Sequence, residues 1–225
     1  MKIILYGATG MVGQGVLREC LQDPEVEQIL LLSRRSTNNS HPKVRELLVS
    51  DFMEYATIES DLVGYDACFF CLGVSSVGMS EQEYYRITFD LTMAAAQTLI
   101  KLNPNMTFVY LSGTGADSSE TGKVMWARVK GKVENALFRL PFKGVYVIRP
   151  GYIQPLHGIK SRTSLYNWLY FVGKPLYPLL KNIFPTAVTT TENIGLALLQ
   201  VAKQGTPKKI LENRDINQLS QMIQR

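Results

Sequence analysis

The sequence is poor in the residues that hold metals and make disulfides, with two histidines and three cysteines in 225 residues. An odd count, Cys20, Cys68 and Cys71, in a chain whose first residues already read as a strand, speaks against a disulfide framework and a targeting segment. It suits a reducing cytoplasm. Cys68 and Cys71 do form a C-x-x-C. In the apolar run Ala67 to Leu72, however, a strand turns the two thiols to opposite faces, so both read as core. Only His41 and His157 remain to complete a metal site, and no metal is expected.

Long apolar runs are missing as well. The aromatic stretch Leu165 to Phe184 is interrupted by Lys174, Pro175, Pro178 and Lys181. It falls short of the ~20 apolar residues that span a bilayer, so it is expected to form a lid or pocket wall rather than a membrane anchor. Nor are the basic residues gathered. The 24 Lys and Arg against 19 Asp and Glu leave a net charge of +5, spread without the arm or aromatic-interleaved stripe of a nucleic-acid surface. A modest positive charge suits a small anionic ligand.

What is present is an alternation of short aliphatic runs with longer helical stretches, the pattern of a doubly wound parallel α/β sheet. Strands are expected at Lys2 to Tyr6, Gln28 to Ser33, Val44 to Val49, Ala67 to Cys71, Thr107 to Leu111 and Gly144 to Ile148, buried on both faces. Helices are expected at Met11 to Gln22, near Met53 to Ser60, at Glu81 to Leu102, Lys123 to Leu140 and Glu192 to Lys203. Ser80 with Glu83 forms a capping box, and Asn103-Pro104 stops the long helix. Residues 1–225 are expected to form one domain, with 1–150 as a ligand-binding core and 151–225 as a small extension ending in a polar tail.

The strongest motif is Gly7-Ala8-Thr9-Gly10-Met11-Val12-Gly13, directly after the first strand and opening a helix. In that context Gly7 permits the tight turn, Gly10 admits a pyrophosphate to the backbone, and Gly13 lets the helix pack on the sheet. A Rossmann-type dinucleotide site follows. The second strand ends in Ser33-Arg34-Arg35, where an acidic residue would bind the ribose 2′-hydroxyl of NAD. Guanidinium groups there suit a 2′-phosphate, so NADP(H) is favoured over NAD(H). After the third strand come Asp51 and Phe52, and after the fourth Leu72 and Gly73. All four stand where the crevice of such a sheet takes the adenosine. Asp51 reads equally as an adenine acceptor or as the cap of a following helix.

The glycine turn, Cys71-Leu72-Gly73, Ser112-Gly113-Thr114-Gly115 and Lys130 together resemble the atypical short-chain dehydrogenase/reductase superfamily over about the first 150 residues. Within it the chain is similar to NAD(P)H-binding, epimerase-like members related to the Tat-interacting tumour-suppressor family. The resemblance implies a Rossmann core and a catalytic Ser or Thr, Tyr and Lys. Ser112 or Thr114 matches the hydroxyl, and Lys130 matches the lysine and holds the nicotinamide ribose. The tyrosine is absent. Four residues before Lys130, on the same helical face, stands Trp126, whose indole donates a hydrogen bond but cannot relay a proton. Tyr152, after Arg149-Pro150-Gly151, is the nearest substitute acid.

Two functions fit these residues. One is an oxidoreductase or epimerase-like enzyme on a small carbonyl substrate. The other is a catalytically impaired NADPH-binding regulator that acts through a protein partner.

Overall fold

The computed structural model describes residues 1–159 and 187–223. The stretch expected to form a lid or pocket wall, Leu165 to Phe184, lies outside the described residues.

The chain begins β1 (Lys2–Tyr6), α1 (Met11–Gln22), β2 (Gln28–Ser33), β3 (Val44–Leu48) and β4 (Ala67–Phe70). It continues with α2 (Glu81–Tyr85), α3 (Leu91–Leu102), β5 (Thr107–Leu111), α4 (Met125–Phe138) and β6 (Gly144–Arg149). The last third adds β7 (Tyr152–Gln154), β8 (Val188–Thr190), α5 (Thr191–Gln204), β9 (Ile210–Glu212) and α6 (Asn213–Ile223). Seven strands form one parallel sheet in the order β3-β2-β1-β4-β5-β6-β9, and β7 pairs with β8 apart from it. Because β2 and β4 flank β1 on either side, the winding direction reverses at β1. The strand ends on either side of that reversal leave a crevice between them.

Alternation along each strand divides the core into two layers. Ile3, Leu5, Ile29, Leu31 and Phe69 pack with residues of α1, α5 and α6 on one face. Ile4, Tyr6, Leu30, Phe70 and Phe108 pack with residues of α3 and α4 on the other. The sheet is therefore covered on both sides, which is why the central strands carry unbroken apolar runs. Cys68 and Cys71 fall in opposite layers and are buried and free, as the strand period requires. On the first face α1 and α5 cross at glycines. A Cβ on Gly15 would stand 2.6 Å from the Thr191 Cβ, and one on Gly195 2.6 Å from the Glu19 Cγ. On the other face Asn103, the last cap of α3, accepts from the amides of Gly64 and Tyr65 at 2.7 and 3.0 Å and donates to Leu62 O at 2.8 Å. It thereby ties the helix end to the loop that feeds β4.

Several expectations need correction. The short helix near Met53 to Ser60 is a single 3₁₀ turn at Glu59–Leu62, since Asp51 and Tyr55 divert the chain into turns. The long helix from Glu81 carries a π-helical turn, Arg86–Asp90, that stacks Tyr85 on Phe89 at 4.7 Å under the amine of Lys132. Strand β3 is not buried on both faces, because it lies at the sheet edge, where Arg45 and Leu48 are exposed and its other residues are only partly buried. The polar tail folds as β9 and α6, an amphipathic helix that buries Ile216, Leu219 and Ser220. The capping box at Ser80 and Glu83 is present with both its bonds.

Candidate functional site

A cavity of about 560 Å³ opens at the reversal of the winding, within the ~300–1,000 Å³ typical of cofactor sites. Its floor is the turn after β1. Gly7 holds φ at +76°, and a Cβ there would stand 2.5 Å from the carbonyl oxygen of Cys71. A Cβ on Gly13 would stand 2.1 Å from Gly7 O, so α1 can approach the strand only through a glycine. Gly10 differs from both. Among the described residues beyond its chain neighbours, the one atom within 4 Å of its Cβ position is Gly7 O at 3.3 Å, and Gly10 caps α1 with no side-chain bond to the helix amides. The first amides of a helix have no partner within it, so this end offers donors and positive potential to an anion.

Gly7, Thr9 and Gly10 line the cavity, and so do Ser33, Arg34, Arg35, Phe52, Leu72 and Gly73. Met11, Val12 and Gly13 form the first turn of α1 just beneath. Leu32, Cys71 and Val74 also line it; none of the three was a candidate site residue from the sequence, although Cys71 opens the Cys71-Leu72-Gly73 motif. Ser33 is buried and donates to Arg35 O at 2.8 Å, which fixes the turn that carries the two arginines. Both arginines are exposed, and among the described residues neither has an ion-pair partner. Phe52 is buried against Tyr6 with ring centroids 5.8 Å apart. Asp51 does not line the cavity; its carboxylate accepts from the Met53 amide at 2.9 Å, the turn-capping alternative.

The second group of candidates lies at the ends of β5 and β6. Ser112 is buried, and its hydroxyl donates to Glu134 at 2.5 Å. Thr114 is exposed and donates to Arg149 O at 2.9 Å, with Glu212 Oε2 at 3.2 Å. Tyr152 is half-buried in β7 and donates to Gln154 Oε1 at 3.1 Å. Lys130 is partly buried on α4, with Nζ 5.6 Å from the centroid of the Tyr110 ring. Desolvation lowers its pKa to about 8, against the opposing charge of Glu134. Burial also raises the Tyr110 phenol well above its ordinary value, so Lys130 is the readily titrating group of this corner. Trp126 sits one turn before it, half-buried, against Gly115.

Glu134 was not among the sequence candidates. It is fully buried, and besides Ser112 it receives the guanidinium of Arg149, whose Nε lies 3.1 Å from both carboxylate oxygens and whose Nη2 also bonds it. The one sequence signal was a carboxylate four residues after Lys130 on the apolar stripe of a helix.

The NAD dependent epimerase/dehydratase family matches residues 3–123. The chain belongs to that family. It is 29% identical over 181 residues to the Leucinostatins biosynthesis cluster protein T of Purpureocillium lilacinum, covering 78% of this chain and 64% of that protein, so the match spans less than two thirds of its length. It is 25% identical over 215 residues to Protein FMP52, mitochondrial, of Candida albicans, covering 91% and 89%. With Protein HTATIP2 of Rattus norvegicus the identity is 28% over 153 residues, covering 67% and 62%. These relatives bear out the resemblance to atypical short-chain dehydrogenases/reductases read from the motifs. Among solved structures, the Bordetella bronchiseptica enzyme WbmF with NAD+ superposes at a TM-score of 0.69 and 17% identity, covering 99% of this chain and 77% of that one. Gre2 of Candida albicans with NADPH superposes at 0.69 and 14%, covering 94% and 77%. At such identities the likeness is one of fold.

Proposed function

We propose that this chain binds NADP(H) in preference to NAD(H) and acts as an oxidoreductase or epimerase-like enzyme on a small carbonyl compound. The observation that carries the reading is the pair Arg34 and Arg35, two exposed guanidinium groups at the cavity rim where a carboxylate would select NAD. Gly7, Gly10 and the start of α1 would hold the pyrophosphate. Phe52, Leu72 and Gly73 would flank the adenosine, and Lys130 would hold the nicotinamide ribose. The bound dinucleotide supplies or accepts a hydride. The chain's own residues bind, orient and move the proton.

A second reading is favoured by Trp126. An indole in place of a phenol leaves the helix face before Lys130 without an ionisable group, as in a protein that binds NADPH without efficient turnover and signals to a protein partner.

Titration of both reduced cofactors by fluorescence tests the first claim. NADPH is expected to bind at least tenfold more tightly, a difference of only ~1.4 kcal/mol, within reach of charge-assisted bonds to a phosphate. Arg34→Ala combined with Arg35→Ala should abolish the preference, and equal affinities in the native chain would overturn it. Turnover against a set of carbonyl compounds, with Lys130→Ala as control, separates the enzyme from the regulator.

A further inference from the structure

Helix α4 places a carboxylate where the sheet layer calls for an apolar residue. Its buried neighbours are Val129, Val133 and Leu137, yet Glu134 is the most deeply buried polar residue of the helix. A buried ion pair is a poor way to stabilise a fold, because the desolvation of both charges offsets most of their attraction. Packing alone therefore does not account for it. Glu134 accepts from Ser112 at the end of β5 and from the guanidinium of Arg149 at the end of β6, and its charge acts on Lys130 one turn away.

We propose that Glu134 is a positioning residue of this site, its carboxylate being the shared anchor that sets Ser112, Arg149 and Lys130 against one another. Ser112 gives its only proton inward to Glu134, so its oxygen has nothing but lone pairs for any other group. Lys130 is then the donor of this corner and Ser112 an acceptor, the reverse of a serine that polarises a carbonyl. Arg149 is braced from outside by Ser118 at 2.7 Å and Glu212 at 3.8 Å, with the charge of Asp117 also acting on it. Among the described residues, the other titratable groups around Lys130 are phenols. Tyr110 contacts it, and Tyr84 acts on Tyr110; burial raises both, so both stay neutral where Lys130 titrates. Among the described residues, Glu134 is thus the charge that acts on Lys130.

The anchoring stands on geometry; its part in turnover rests on the function proposed above. The test follows the Lys130 Nζ and Cε resonances in the full chain labelled with ¹³C,¹⁵N-lysine and assigned by Lys130→Met. The native midpoint is expected near 8. Glu134→Gln should lower it by about one pH unit or more, and Glu134→Asp, which keeps the charge, should restore most of that shift. A midpoint within about 0.2 unit of native in Glu134→Gln overturns the proposal. Should that variant fail to fold, Ser112→Ala decides. It withdraws the proton shared with Glu134, leaves the Arg149 pair in place, and should raise the Lys130 midpoint by about half a unit; no change there overturns the proposal too. NADPH titration of the native chain keeps the two readings apart, since absent binding sinks the proposed function while the lysine midpoints still judge the anchor.

Discussion

The indole of Trp126 lies against Gly115: a Cβ built on that glycine would stand 3.5 Å from Cη2 of the ring. The loop after β5 thus leaves room for a large flat side chain one turn before Lys130. A tyrosine in its place would carry a phenol on the helix face that Lys130 shares. Trp126→Tyr is expected to gain NADPH oxidation with a reactive dicarbonyl, within the ~10² to 10⁴ that general acid catalysis commonly supplies. Lys130→Ala should remove the gain. Robust native turnover that Trp126→Phe leaves untouched would show that the proton comes from elsewhere.

The three glycines of the first turn should separate fold from binding. A Cβ on Gly10 would stand 3.3 Å from Gly7 O, whereas one on Gly13 would stand 2.1 Å from the same oxygen. Gly10→Val is expected to fold normally and lose both cofactors, because its side chain fills the space of the pyrophosphate. Gly13→Ala is expected to cost stability, on the order of 1–3 kcal/mol or more, since backbone must move. Urea denaturation alongside cofactor titration distinguishes the two. A Gly10→Val chain that still binds would remove this turn from the site.

Lys130 should leave a mark on stability against pH. Its folded pKa near 8 lies below the ordinary lysine value of 10.5, so between those limits the unfolded chain binds the extra proton. Stability attributable to this group must therefore rise as pH climbs from 8 towards 10.5. At pH 7 its buried charge costs on the order of 3 kcal/mol. Lys130→Met is expected to be more stable than the native chain at pH 7, with the gap closing by pH 10. Urea midpoints that run parallel over this range would show that the amine is well solvated.

Asn103 offers a test remote from the cavity. It is buried, and one amide group satisfies two backbone N–H groups and a carbonyl of the loop before β4. Asn103→Ala leaves these groups without partners and should cost roughly 2–4 kcal/mol, since each orphaned buried group costs ~1–3. A melting temperature unchanged from native would mean that water replaces the side chain at no cost.

The parts of the fold that the sequence announces are those with one strong local period. The strands at Lys2–Tyr6, Gln28–Ser33 and Thr107–Leu111 and the helix at Met11–Gln22 have the boundaries their apolar patterns predict. Strands β7, β8 and β9 have three residues each, too few for alternation to register. Helix α6 hides its buried Ile216 and Leu219 among Asn, Gln and Arg, and so reads as a tail. The cavity divides in the same way. Gly7, Gly10, Arg34 and Arg35 are marked by position after a strand, but Val74 and Cys71 become its wall only because β4 sits beside β1. Glu134 was hidden for a different reason. Its main partner, Arg149, lies at the end of strand β6, outside the helix that carries Glu134, and nothing local in either residue reveals the pairing.

The glycine crossing of α1 with α5 also sets a timetable for synthesis. The two helices meet at Gly15 and Gly195 but are separated by about 170 residues of chain. A ribosome adding ~5–20 residues per second would leave the inner face of α1, with Val16 and Cys20, uncovered for roughly ten to thirty seconds. The helix that opens the phosphate turn is thus made well before the helix that covers it, and holding chaperones or premature oxidation would act on the nascent protein in that interval.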